Sequence, residues 1–115
     1  MFIRITALAA LLTLAGCAAT KATQEGASVQ LATASPSSNC RLIGEAIGTQ
    51  GNWATGDLTS NKNLMLGARN DLRNQAAEMG GNYVAIQDAS HASAYGSLGT
   101  TSTTIAGQVY HCPSL

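Results

Sequence analysis

Large side chains are scarce in this chain of 115 residues. Aromatics amount to 4%: one Trp, one Phe and three Tyr. A core built mostly from Ala, Val, Ile and Leu buries little area per residue, so a domain of this size is only marginally stable without further support. Charge is also sparse, at 10%, and balances to a formal net charge of zero. No basic face can be assembled from so few Lys and Arg, which argues against nucleic acid as a partner. No uncharged apolar run approaches the roughly 20 residues that a membrane-spanning helix needs. Short-range metal spacing is missing as well, since His91 and His111 stand far apart in sequence. No Ser or Cys carries a nucleophile motif, and the Gly-rich stretches lack the strand-then-lysine context of a phosphate-binding loop. The chain is therefore read as non-enzymatic, with no metal and no cofactor.

What is present starts with the first seventeen residues. Met1 to Arg4 carries one positive charge, Ile5 to Leu14 (ITALAALLTL) is apolar and uncharged, and Ala15-Gly16 are small. This is the three-part layout of an export signal. The ending Leu14-Ala15-Gly16-Cys17 resembles the lipobox of bacterial lipoproteins. That resemblance implies a signal peptide over 1–16, cleavage before Cys17, a diacylglyceryl group on its thiol and an acyl chain such as palmitate on the new amino terminus. Each buried methylene adds about 0.8 kcal/mol of membrane affinity, so two or three chains would hold the protein firmly. By analogy with enterobacterial sorting, Ala18 in place of Asp points to the outer membrane. The expected location is a lipid anchor there, facing the periplasm.

The mature chain keeps five basic side chains (Lys21, Arg41, Lys62, Arg69, Arg73) against six acidic ones. Cys40 and Cys112 remain once Cys17 is set aside. In an oxidising compartment an even pair reads as a disulfide; a free thiol pair and intermolecular links are the alternatives. A bridge closing so long a loop is worth roughly 4 kcal/mol on the chain-entropy model.

Residues 17–26 (CAATKATQEG) read as a lipidated terminus and flexible tether, and 27–115 as one periplasmic domain. Ala27 to Ala32 alternates enough for a first strand. Cys40 to Gly48 reads as a second, with Leu42 and Ala46 on one face and Ile43 and Ile47 on the other, a pattern that suits a strand buried in mid-sheet. Gly44 and Gly48 point to a close neighbour or a bulge. Thr49 to Asn63 reads as a loop. Ser60 or Asn61 can cap a helix whose stripe Leu64, Ala68, Leu72, Ala76 and Met79 faces the core, and Gly80-Gly81 supplies a left-handed stop. Tyr83 to Gln87 forms a strand, Ala89 to Gly99 a loop or loose hairpin, and Thr100 to Cys112 a last strand with Tyr110 and Cys112 on one face. The expected fold is α+β, in the order β-β-α-β-β: about four strands, one helix packed on one face, and a disulfide link.

The segments GARNDLRNQAAEMGGNYV (67–84), GQVYHCP (107–113) and CRLIGEAIGTQGNW (40–53) resemble the YjeI-type lipoproteins of enterobacteria, a family with a domain of unknown function. The resemblance implies an exported lipoprotein without an established activity. DLRNQAAEMGGN is also similar to the helix-to-strand segment of the outer-membrane stress-sensor lipoprotein of the Rcs phosphorelay. That relative has two disulfides and a long Pro-rich, basic tether, whereas this chain offers one bridge and a short tether.

Candidate partner-binding residues are Trp53, Arg69, Asp71 and Arg73. Alternating charges on the helix could form a recognition face, although a solvated helix surface fits the same pattern. Trp53 could anchor a partner or cover the edge of a core short of large residues. The expected function is a lipid-anchored module that binds an envelope protein or senses envelope stress. A small-ligand carrier or an enzyme acting on an envelope component is the alternative, and it requires a pocket near His91 or His111.

Overall fold

A computed structural model describes residues 19–51, 60–92 and 101–115. Cys17, Trp53 and the expected export signal over 1–16 lie outside the described residues. The elements are α1 (Gln24–Ala27), β1 (Gln30–Ala32), β2 (Arg41–Gly51), α2 (Asn61–Glu78), β3 (Tyr83–Ala92) and β4 (Ser102–His111). The four strands form one mixed sheet in the order β1-β3-β4-β2. β1 pairs with β3 in parallel, and β4 pairs antiparallel with both β3 and β2. β2 and β3 thus run in the same direction with β4 inserted between them, and α2 makes the crossover. This is an α+β layer architecture.

α2 forms where the sequence places its signals. Ser60 accepts from Asn63 N–H at 3.2 Å as the N-cap. Leu64, Ala68, Leu72 and Ala76 are fully buried, at the i, i+4 spacing that keeps a single stripe against the sheet. At the other end Gly81 N–H donates to Ala76 O (2.8 Å) and Gly80 N–H to Ala77 O (3.0 Å). These are the two bonds of a Schellman stop, and Gly80 takes the positive φ of 86° that it requires.

Register sorts the sheet into two faces. Rows Gly44–Val109–Val84, Ala46–Gly107–Ile86 and Gly48–Ile105–Ala89 lie under α2. β2 contributes the small members of these rows, which lets the helix sit close: a Cβ at Gly48 would collide with the Ala68 carbonyl and with Leu72. Val84, Val109 and Ile105 join Ala68, Leu72, Ala76 and Val29 in the main core. The opposite rows are Leu42–Tyr110–Tyr83, Glu45–Gln108–Ala85, Ile47–Ala106–Asp88 and Thr49–Thr104–Ser90. Bulges at Ile43 and Gln87 reset the alternation partway along β2 and β3.

The disulfide joins Cys40 to Cys112. It sits beside the Arg41–His111 pair of adjacent strands and closes one end of the sheet. With Tyr83, Ala85 and Tyr110 it makes a small second core on the face away from α2. Tyr83 and Tyr110 meet edge to face at 6.4 Å, and Tyr83 OH donates to Ala34 O at 2.7 Å.

Three expectations need correction. β2 is an edge strand and lies outside the middle of the sheet, so Leu42 and Ile47 are about half exposed (53% and 50%) on the uncovered face. The interior strands are β3 and β4, and along β4 the residues from Ser102 to Tyr110 alternate strictly between half-buried and buried. β2 also runs on to Gly51 and β3 to Ala92, into segments expected as loops; their Gly, Thr, Ser and Ala residues pair with β4 because its long run offers partners throughout. Third, the described part of the expected tether, residues 19–26, lies docked on α2. Asn70 Nδ2 donates to Thr20 O (2.9 Å) and Asn74 Nδ2 to Lys21 O (3.0 Å), while Thr23 N–H donates back to Asn74 Oδ1 (2.8 Å). Thr20 also donates through its N–H and its hydroxyl to Gln50 Oε1. Two asparagines one helical turn apart satisfy the extended backbone that passes over them.

Candidate functional site

Two surfaces contain what the described residues offer for recognition. The first is the outside of α2. Asp71 belongs to it by sequence, but its Oδ2 accepts from Thr49 N–H on the outer edge of β2 at 2.8 Å and from Gln75 Nε2 at 3.2 Å. The carboxylate covers an edge amide that would otherwise invite another strand. Arg73 donates from Nη1 to Asn70 Oδ1 at 3.1 Å. Partial burial, and then the neighbouring Arg69 guanidinium, draw Arg73 below its ordinary basicity; it remains a cation all the same. The structure therefore brings Arg69 and Arg73 together and turns Asp71 toward the sheet edge.

Further along α2, Thr23, Glu25, Asn74, Ala77 and Glu78 line a groove of about 190 Å³ between the docked N-terminal segment and the helix. Gly26 lets α1 come this close, since a Cβ there would strike the Asn74 side chain. Neither histidine lines the groove. His91 Nδ1 pairs with Thr103 Oγ1 at 2.9 Å and His111 Nδ1 with Gly80 O at 3.2 Å. The register sets the two rings about eight residues apart along β4, on the order of 27 Å. Among the described residues, no three His, Cys, Asp or Glu side chains gather closely enough to hold a metal ion.

The second surface is the uncovered sheet face. The disulfide and the two tyrosines close one end of it. On the same face Leu42, opposite Tyr110, and Ile47, opposite Ala106, stand exposed on β2, with Glu45 between them opposite Gln108. Two half-exposed aliphatic side chains stand on one face of an edge strand, one on either side of Glu45, and offer apolar area for contact.

Both surfaces belong to a fold seen elsewhere in sequence. A family model described as "Domain of unknown function (DUF4156)" matches residues 20–112. The chain belongs to this DUF4156 family. It is 41% identical to the uncharacterized protein YjeI of Escherichia coli strain K12 over 106 residues, 91% of either chain. The same identity and coverage hold for uncharacterized YjeI proteins of E. coli strain CFT073 and of Shigella flexneri. No solved structure matches. The DUF4156 match starts at Thr20, the residue at which the N-terminal segment is clamped by Gln50 and Asn70. The docked segment is thus an integral part of the family's domain. Sequence reasoning found Arg69, Asp71 and Arg73 but passed over Gln50, Asn70 and Asn74. The available signal was a pair of amides at i, i+4 on the solvent side of a helix, opposite its apolar stripe.

Proposed function

We propose that this DUF4156 protein is a bacterial envelope lipoprotein, anchored by lipid on Cys17 to the periplasmic side of the outer membrane, that acts as a non-catalytic protein-binding module in envelope-stress sensing or as an accessory to an assembly. The anchor is supported by the basic, apolar and small-residue layout ending in Leu-Ala-Gly-Cys. The binding role rests on one observation above others: Leu42 and Ile47, both about half exposed, share the uncovered face of the sheet. A monomeric domain gains nothing from exposing them, while a partner that covers them gains about 25 cal/mol per Å² of apolar area removed from water. Confinement to a membrane layer raises the effective concentration of partners in the same layer, so a modest patch suffices. Among the described residues, the carrier or enzyme reading can call on the groove at Glu25 and Glu78, whose lining holds no histidine, cysteine or serine.

The test is photocrosslinking in intact cells from residues placed at positions 42 and 47, with position 25 on the opposite side of the molecule as control. The proposal expects one and the same envelope protein from positions 42 and 47, absent from position 25 and lost in the Cys17→Ser variant. Equal products from all three positions, or none from 42 and 47, would count against it.

A further inference from the structure

The clamp at Thr20 has a geometric consequence. Only three peptide units separate Cys17 from Thr20, so their Cα atoms lie within about 11 Å of each other whatever path the chain takes. Thr20 is held to Gln50 and to Asn70, and Asn70 is bonded to Arg73. A lipid on Cys17 therefore brings the bilayer surface to the outer side of α2 and leaves the domain little freedom to swing away.

That region carries the charge a membrane attracts. Lys62, Leu66, Arg69 and Arg73 follow i, i+4, i+7, i+11 spacing and share one stripe of α2. Leu66 is 43% exposed, an apolar side chain flanked by cations. Lys21, exposed, follows directly on the clamped Thr20. The carboxylates Glu25 and Glu78 line the groove at the other end of the helix, with Glu78 about 12 Å farther along the axis than Asn70. Among the described residues, the charged neighbour that perturbs Arg73 is another cation, Arg69. Arg69 and Arg73 stand one helical turn apart on α2, so two cations neighbour each other on this side of the helix.

We infer that the stripe Lys62–Leu66–Arg69–Arg73, together with Lys21, is a membrane-docking face that lies on the anionic headgroups of the bilayer holding the chain's own lipid, with Leu66 at the level of the headgroups. The inference rests on the lipid-anchor reading and adds an orientation to it. Guanidinium groups bind phosphate through paired N–H donors, and juxtamembrane cations gain from a negative leaflet. A second copy of the chain is a poor occupant, because it would set one cationic stripe against another. Docking in this way points the uncovered sheet face with Leu42 and Ile47 away from the bilayer, toward partners.

The experiment uses the full lipidated chain purified from membranes and placed in vesicles of phosphatidylethanolamine containing phosphatidylglycerol. A nitroxide side chain is introduced in turn at positions 66 and 104, the latter on the uncovered sheet face, and its accessibility to lipid-soluble oxygen and to a water-soluble nickel chelate is measured. The label at 66 is expected to favour oxygen and the label at 104 to favour nickel. Arg69→Gln with Arg73→Gln should shift the label at 66 toward water, roughly five-fold in population for each arginine removed, whereas Arg69→Lys with Arg73→Lys should largely restore docking. Thermal unfolding should show the Gln variants no less stable than the parent, which separates lost docking from lost folding. A label at 66 that is as wet as the one at 104 overturns the docking face, and one shielded from both probes overturns the choice of a bilayer in favour of a protein partner. The mass of the purified chain separates the two readings: a bare Cys17 overturns anchor and docking together, while a lipid-bearing Cys17 with position 66 in water overturns docking alone.

Discussion

The two faces of the sheet are built from the same strands and have opposite fates. On one, rows of Gly, Ala, Val and Ile lie beneath α2, which is itself crossed by the docked N-terminal segment. On the other, among the described residues, the end with the disulfide and the tyrosine pair is closed, and Leu42 and Ile47 remain exposed. The difference shows how a chain poor in aromatics makes a stable domain. It concentrates close packing on one side, where small residues in β2 let the helix approach. It then uses a covalent link, with the few large rings it has, to secure the side that α2 leaves open.

The comparison can be broken most severely from the packed side. Gly48→Val should be the largest single effect: its side chain has nowhere to go but into the Ala68 carbonyl and Leu72. A loss of at least about 3 kcal/mol is expected, read as a lower urea midpoint or as a failure to accumulate folded protein. Removal of the bridge by Cys40→Ser with Cys112→Ser should cost about 2–4 kcal/mol, most of it visible as a reduced urea midpoint relative to the oxidised parent. Asn74→Ala should cost roughly 1 kcal/mol through loss of its two bonds to Lys21 O and Thr23 N–H. It should also raise amide exchange selectively in residues 20–27, a local effect that a general loss of stability would not produce. Ile47→Ser on the open face should be the smallest for stability, within about 0.5 kcal/mol of the parent, yet should weaken crosslinking to the partner. If Ile47→Ser instead destabilised the fold as much as Gly48→Val, the two faces would not differ as described.

Much of the fold was legible from residue pattern. The stripe Leu64–Ala68–Leu72–Ala76, the Ser60 cap and the Gly80-Gly81 stop are local signals, and each is realised in α2, whereas Met79, expected on the same stripe, is the C-cap and is exposed. The Cys40–Cys112 bridge followed from cysteine arithmetic in a chain read as exported. Strand order was harder to read. Apolar residues on both sides of β2 looked like a mid-sheet strand, because periodicity reports which side chains are apolar and is silent on which face acquires a cover. The strand's outward apolar residues are those now exposed, and this mismatch marks the contact surface proposed above. The docked N-terminal segment was also illegible. AATKATQE has the small, polar composition of a linker, and its order comes from distant side chains, Gln50, Asn70 and Asn74, whose role shows only once the fold brings them together. Of the candidate site, the cationic pair Arg69 and Arg73 could be read from helical spacing, whereas the involvement of Asp71 with the edge of β2 depends on tertiary placement.

The most direct test of the envelope-lipoprotein account is the intact mass of the mature chain extracted from its native membrane fraction. The account predicts a chain that begins at Cys17 and carries a diacylglyceryl group with a further acyl chain at its amino terminus. A mass equal to the unmodified polypeptide, with or without residues 1–16, would contradict it.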